Sequence, residues 1–166
     1  MDKVLILLLL LLFGHCFAGN YLSVRDTTVQ INQSFPLVIE LSNTDSVIAF
    51  QFDLELPSSI LYADSFTIIP LLKNHKVLIS LIGCNTIRFL CYSMNNHLIP
   101  GTSDPVILFT CKTGNQTGTF EVRLKNGVIG NAKSRDVLDS LQNGIIKIFT
   151  PTGIEIPHQG KKNKQL

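Results

Sequence analysis

Asp53 and Glu55 stand two residues apart in the stretch VIAFQFDLEL, residues 47–56. On a strand, that spacing sends both carboxylates to one face. Paired carboxylates are the core of glycoside hydrolysis, but the reaction needs them across a cleft, about 5 Å or more apart, with one held protonated in an apolar pocket. Side by side on an outward strand face they read as solvated charges. His75, His97 and His158 are isolated, with no HExxH or HxH pattern, and read as surface or loop histidines. No GxSxG, Walker-type GK[ST] or GxGxxG segment occurs. No catalytic residue, metal ligand or cofactor site is therefore expected, and the chain reads as a non-enzyme.

Beyond residue 18 the chain has three cysteines, Cys84, Cys91 and Cys111, with no CxxC spacing. An odd, small count is not a disulfide framework. They read as small buried hydrophobes, or as one bridge, Cys91 to Cys111, if those two lie on neighbouring strands.

The elements that would position these residues come from a 166-residue chain, 45% hydrophobic and 16% charged. That composition supports a packed core in one domain. A net charge of +2 offers no electrostatic footprint for nucleic acid. Residues 1–18 (MDKVLILLLLLLFGHCFA) read as a secretory signal: Lys3, an apolar run over residues 4–13, then Cys16-Phe17-Ala18, with small residues at the two positions a signal peptidase reads and a cut after Ala18. A membrane span needs roughly 20 apolar residues, and this run is shorter. The expected location is secreted, extracellular or at the cell surface, with a periplasmic protein or one lipid-anchored at Cys16 as alternatives. Residues 19–156 form the expected domain. Residues 157–166, with Lys161, Lys162 and Lys164, form a polar basic tail.

Within the domain, strand follows strand. In residues 34–41 Phe35, Leu37, Ile39 and Leu41 share a side. In residues 47–56 Phe50, Phe52, Leu54 and Leu56 face one way, and Gln51, Asp53 and Glu55 the other. Residues 76–82 and 86–93 flank Gly83-Cys84-Asn85 and read as a hairpin. Residues 106–112, 119–124 and 145–149 complete the set. The best helical candidate, residues 135–141, is too short to be more than one turn. Short strands with regularly spaced turn signals indicate an all-β sandwich or barrel.

The outward residues of the central strands are then Gln51, Asp53 and Glu55; Arg88, Leu90 and Tyr92; and Val106, Leu108 and Thr110. A fully solvated sheet face should alternate to polar residues. Leu90, Val106 and Leu108, beside Tyr92 and flanked by charge, instead make an apolar patch with a polar rim, the usual composition of a protein-binding surface. A covering loop or a one-residue register slip would equally account for it. A glycan-binding platform is poorly supplied: there is no Trp and there are three Tyr, and several of the ten Phe sit at inward positions.

Taken in order, these segments resemble a cohesin domain. Residues 34–61 (SFPLVIELSNTDSVIAFQFDLELPSSIL) are similar to its opening, in which a strand ending in "SN" leads to a "GFQFDLxYDPxxL"-like strand. Residues 86–93 (TIRFLCYS) resemble its "xIRVLAYS" strand. Residues 106–112 resemble "LxTLTFKV", and residues 119–128 (TFEVRLKNGV) resemble "TxTISLSNVV". Ala49 stands where the family usually has Gly, and Pro57-Ser58 where a "DP" pair is common. The resemblance implies a nine-stranded jelly-roll β-sandwich that binds a dockerin-containing protein in extracellular polysaccharide degradation, with any calcium belonging to the dockerin. It also implies that Gln51, Asp53, Leu90, Tyr92 and Leu108 share the docking sheet. The alternative is a carbohydrate-binding module that takes polysaccharide directly; a structural or adhesive domain is a third reading. Asn32-Gln33-Ser34 and Asn115-Gln116-Thr117 match the N-glycosylation acceptor pattern, which usually means nothing in a bacterium, the source the resemblance implies.

Overall fold

The computed structural model describes residues 19–151. The leader at 1–18, the tail at 157–166 and the last five residues of the expected domain lie outside them, as do Cys16 and His158. Eleven strands form: β1 (Tyr21–Val24), β2 (Thr27–Gln30), β3 (Ser34–Asn43), β4 (Val47–Glu55), β5 (Ile60–Ile68), β6 (Lys76–Leu81), β7 (Thr86–Tyr92), β8 (Thr102–Thr113), β9 (Gly118–Asn131), β10 (Ser140–Gln142) and β11 (Gly144–Phe149). The fold class is the expected all-β sandwich. Two strands beyond nine come from short edge segments such as β2 and β10, which pair in parallel with β11 and β1.

The strands divide into a five-stranded sheet, ordered β10-β1-β3-β8-β5, and a six-stranded sheet, ordered β2-β11-β9-β4-β7-β6. Alternation along each strand turns one side inward. Phe50, Phe52 and Leu54 of β4, Ile87 and Phe89 of β7, and Phe109 of β8 are fully buried between the layers. Phe52 stacks on Phe89 with ring centroids 5.0 Å apart and meets Phe109 edge-on at 6.5 Å, so the aromatic cluster spans both sheets. Each such ring contributes about 1.5–3 kcal/mol by leaving water. Gly144 is needed where β11 passes β1, because a Cβ there would lie 2.8 Å from the carbonyl oxygen of Val24.

The expected hairpin is present: β6 and β7 pair antiparallel across residues 83–85. Residues 135–141 form no helical turn. Asp136 bridges to Gly130, and Ser140 opens β10. The only helix among the described residues is the short 3-10 turn Pro70–Leu72. No helix there is long and apolar enough to cross a membrane.

One element sits in a different layer from the one expected. Residues 93–101 carry the chain out of the six-stranded sheet, pinned by reciprocal backbone bonds between Ile99 and Val47 of 2.7 and 3.1 Å. β8 therefore enters the five-stranded sheet between β3 and β5. Leu108 stands between Val38 and Thr67 there, in the layer opposite Leu90. Val106 occupies a bulge, since Ile39 pairs with Ile107 while Glu40 pairs with Pro105, and it is fully buried rather than outward. Cys91 and Cys111 consequently face the core from opposite sheets. Both are free, and burial pushes each thiol up to about 12, which makes them unreactive packing residues. Cys84 is exposed in the β6–β7 turn. His75 is also buried, just after the 3-10 turn, and its burial lowers its pKa and favours the neutral ring. It lies in the loop before β6, as one of the two expected settings had it, but buried and not at the surface.

Candidate docking face

The outer wall of the six-stranded sheet collects most of the outward residues read from the sequence. In antiparallel pairs, directly opposed residues point the same way. Leu78 of β6 faces Leu90 of β7, Leu90 faces Gln51 of β4, and Gln51 faces Val128 of β9. These four form one row across four strands. At about 4.8 Å per strand step the row is about 14 Å long. Leu78 is 55% and Val128 40% exposed, so the row is open to solvent at both ends. The row above it holds Lys76, Tyr92, Ala49 and Gly130.

The row below holds Ser80 and three charges, Arg88, Asp53 and Lys125. Asp53 is not the solvated charge that alternation suggests. Its residue surface is 2% exposed. The register between β4 and β9 shifts between Gln51 and Asp53, and Asn126, at φ 50°, fills the bulge. From there Asn126 Nδ2 donates to Asp53 Oδ2 at 2.7 Å. Arg88 donates a fork of two bonds, Nε to Oδ1 at 2.7 Å and Nη2 to Oδ2 at 2.8 Å. The Arg88 bonds hold the Asp53 carboxyl below its ordinary value; burial pushes the other way and Asn126 reinforces the lowering. A buried carboxylate with its lone pairs so engaged is a fixed part of the wall.

The other carboxylates on this wall are paired too. Lys125 Nζ lies 2.6 Å from Glu55 Oε2, and Arg123 Nε lies 2.6 Å from Glu121 Oε2. Each cation lowers its partner's pKa, with Asn143 adding to the effect at Glu121. A general acid for sugar chemistry needs a carboxyl held up, not down. The charges here are suited to a polar rim. Among the described residues no cluster of three or more potential metal ligands forms.

No family model matches the sequence, and no curated protein sequence matches it significantly. Solved structures do match. A non-cellulosomal cohesin from the archaeon Archaeoglobus fulgidus superposes with a TM-score of 0.69 at 13% identity, covering 80% of this chain and 93% of that one. A chain from a type I cohesin–dockerin complex of Clostridium thermocellum gives a TM-score of 0.71 at 10% identity, over 79% and 99%. The seventh ScaB type I cohesin from Pseudobacteroides cellulosolvens gives 0.67 at 14% identity, over 85% and 99%. The chain has the cohesin fold.

On this cohesin fold, Gln51, Asp53, Leu90 and Tyr92 share one wall, and Leu108 belongs to the other. The expected five-residue patch is therefore corrected to four, of which Asp53 acts from below the surface. Leu78, Val128 and Asn126 join it. Leu78 was readable from the hairpin, because counting back from residues 83–85 sets it opposite Leu90. Asn126-Gly127 inside an otherwise alternating strand was a bulge signal.

Proposed function

We propose that this chain is a non-catalytic docking module that binds a dockerin-bearing protein through the row Leu78, Leu90, Gln51 and Val128, with Tyr92 above it and the paired charges below. The observation that carries the reading is the row itself: three apolar side chains, Leu78, Leu90 and Val128, in line with Gln51 across four strands and open to solvent at both ends, on a base fixed by the Asp53–Arg88–Asn126 bonds. A partner helix lying across the strands would cover such a row. Support also comes from the solved structures sharing this fold, several of which are described as cohesins in complex with dockerins. The calcium of such an assembly would sit in the partner. We place the chain outside the cell, exported by the leader at residues 1–18 and acting in extracellular polysaccharide degradation.

The test is capture of partners from the organism's own secretome on the immobilised chain, with and without chelator. The expected result is a calcium-dependent protein bearing a dockerin. Retention of the purified chain on insoluble cellulose or xylan with no protein partner would instead favour direct glycan binding and contradict the proposal.

A further inference from the structure

The two Asn-x-Ser/Thr motifs, 83 residues apart in sequence between Asn32 and Asn115, come together at one pole of the sandwich. Asn32 sits in the turn from β2 to β3 and Asn115 in the turn from β8 to β9. The turns are laced to each other. Asn32 N donates to the Gly114 carbonyl at 3.0 Å. The buried Thr113 hydroxyl donates to the Gln30 carbonyl at 2.7 Å and accepts from Gln33 N at 3.0 Å. The Thr113 backbone N–H donates to the Gln33 carbonyl at 2.9 Å. The spacing of the two motifs is thus fixed by the fold.

Both motifs are open for modification. Asn32, Gln33 and Ser34 are exposed, and so are Asn115, Gln116 and Thr117. Asn32 adopts the left-handed conformation at φ 56°, in a turn that lies outside the strands. Among the described residues, the side chains of Asn32 and Asn115 make no hydrogen bond, nor do the hydroxyls of Ser34 and Thr117. Asn20, Asn43, Asn126, Asn131 and Asn143 spend their side chains on structural bonds, whereas those of Asn74, Asn85, Asn95 and Asn96 make none among the described residues. None of these asparagines has Ser or Thr two residues on. The pole is also remote from the docking row: Gly118 and Val128 lie ten residues apart along β9, about 33 Å at the usual strand rise.

We propose that Asn32 and Asn115 are paired N-glycan acceptors, dressing one pole of the exported protein and leaving the docking wall bare. The donor is a lipid-diphosphate-linked oligosaccharide. The side-chain amide nitrogen forms the bond to the anomeric carbon and loses one proton to the transferase. The anomeric C–O bond breaks, and the lipid diphosphate leaves with the electron pair. The proposal rests on export, the part of the functional reading supplied by the leader, and not on the identity of the docking partner.

The test is peptide mass spectrometry of the full-length protein secreted by its own cells, with enzymatic glycan release in heavy-oxygen water to leave labelled Asp. Both positions should carry the label, and the mature N-terminus should follow residue 18. Ser34→Ala should abolish the label at Asn32 alone and Thr117→Ala at Asn115 alone, while each variant still binds the captured partner. Both substitutions spare the asparagines and the left-handed turn. A leader-free protein with unmodified Asn at either position overturns the paired site and leaves export standing. A retained leader with unmodified Asn overturns both.

Discussion

The outer walls of the two sheets are built from the same alternating strands and carry different surfaces. On the six-stranded sheet, three apolar residues and Gln51 line up across four strands above a charged row whose carboxylate, Asp53, is buried. On the five-stranded sheet, Leu108 stands between a buried Val38 and Thr67, with the Arg25–Glu40 pair further along at the surface. The difference lies in what the charges do. Asp53 receives three hydrogen bonds at a bulge and becomes part of the wall's frame. Arg25 and Glu40, half and one-third exposed, form an ordinary surface contact, of a kind that adds little to stability.

The comparison can be broken most forcefully at what both walls share. Phe52→Ala removes a ring packed against Phe89 in its own sheet and Phe109 in the other. It should cost about 3–5 kcal/mol in chemical denaturation and should loosen both walls together. If only one sheet lost protection in hydrogen exchange, the layers would not rest on a common core.

Asp53→Ala sharpens the contrast between walls. It strands Arg88 and Asn126 beside a small void, but Arg88 keeps partial access to water. A loss of about 1–2 kcal/mol is expected. The Asp53 carboxyl has a folded pKa below its ordinary 3.8, so its stabilisation is complete above that value and drains as pH falls through the folded one. In Asp53→Asn that part of the acid limb should flatten. A stability curve against pH that matches the parent's below 4 would show the bonds to Asp53 to be weak. The smallest effect belongs to the other wall. Arg25→Ala should change stability by less than about 0.5 kcal/mol in the same assay.

How far the sequence foretold this arrangement follows from what a period of two can report. Alternation separates inside from outside, so the inward set of Phe50, Phe52, Phe89, Phe109 and Cys111 was legible, as was the β6–β7 hairpin. It cannot say which of two facing layers a strand joins, because both layers bury the same kind of residue. Leu108 was therefore assigned to the wrong wall, and Cys91 and Cys111 looked capable of being neighbours. β5 went unread because its segment LYADSF does not alternate, and Asp64 there takes a left-handed conformation at φ 53°. The setting of Asp53 was hidden because one of its partners is Asn126, 73 residues away and brought to it at a bulge. The cohesin resemblance foretold the fold correctly, although no family model recognises the sequence.

The central claim is that docking belongs to the wall of the six-stranded sheet and not to its opposite. The most direct measurement is titration calorimetry of a calcium-loaded dockerin partner against Leu90→Asp and Leu108→Asp, each first checked for an intact fold. Placing a charge in the middle of the row should cost about 2 kcal/mol or more, roughly thirtyfold in affinity, for Leu90→Asp. Leu108→Asp should bind as the parent does; equal losses in the two variants, or a loss confined to Leu108→Asp, would contradict the assignment.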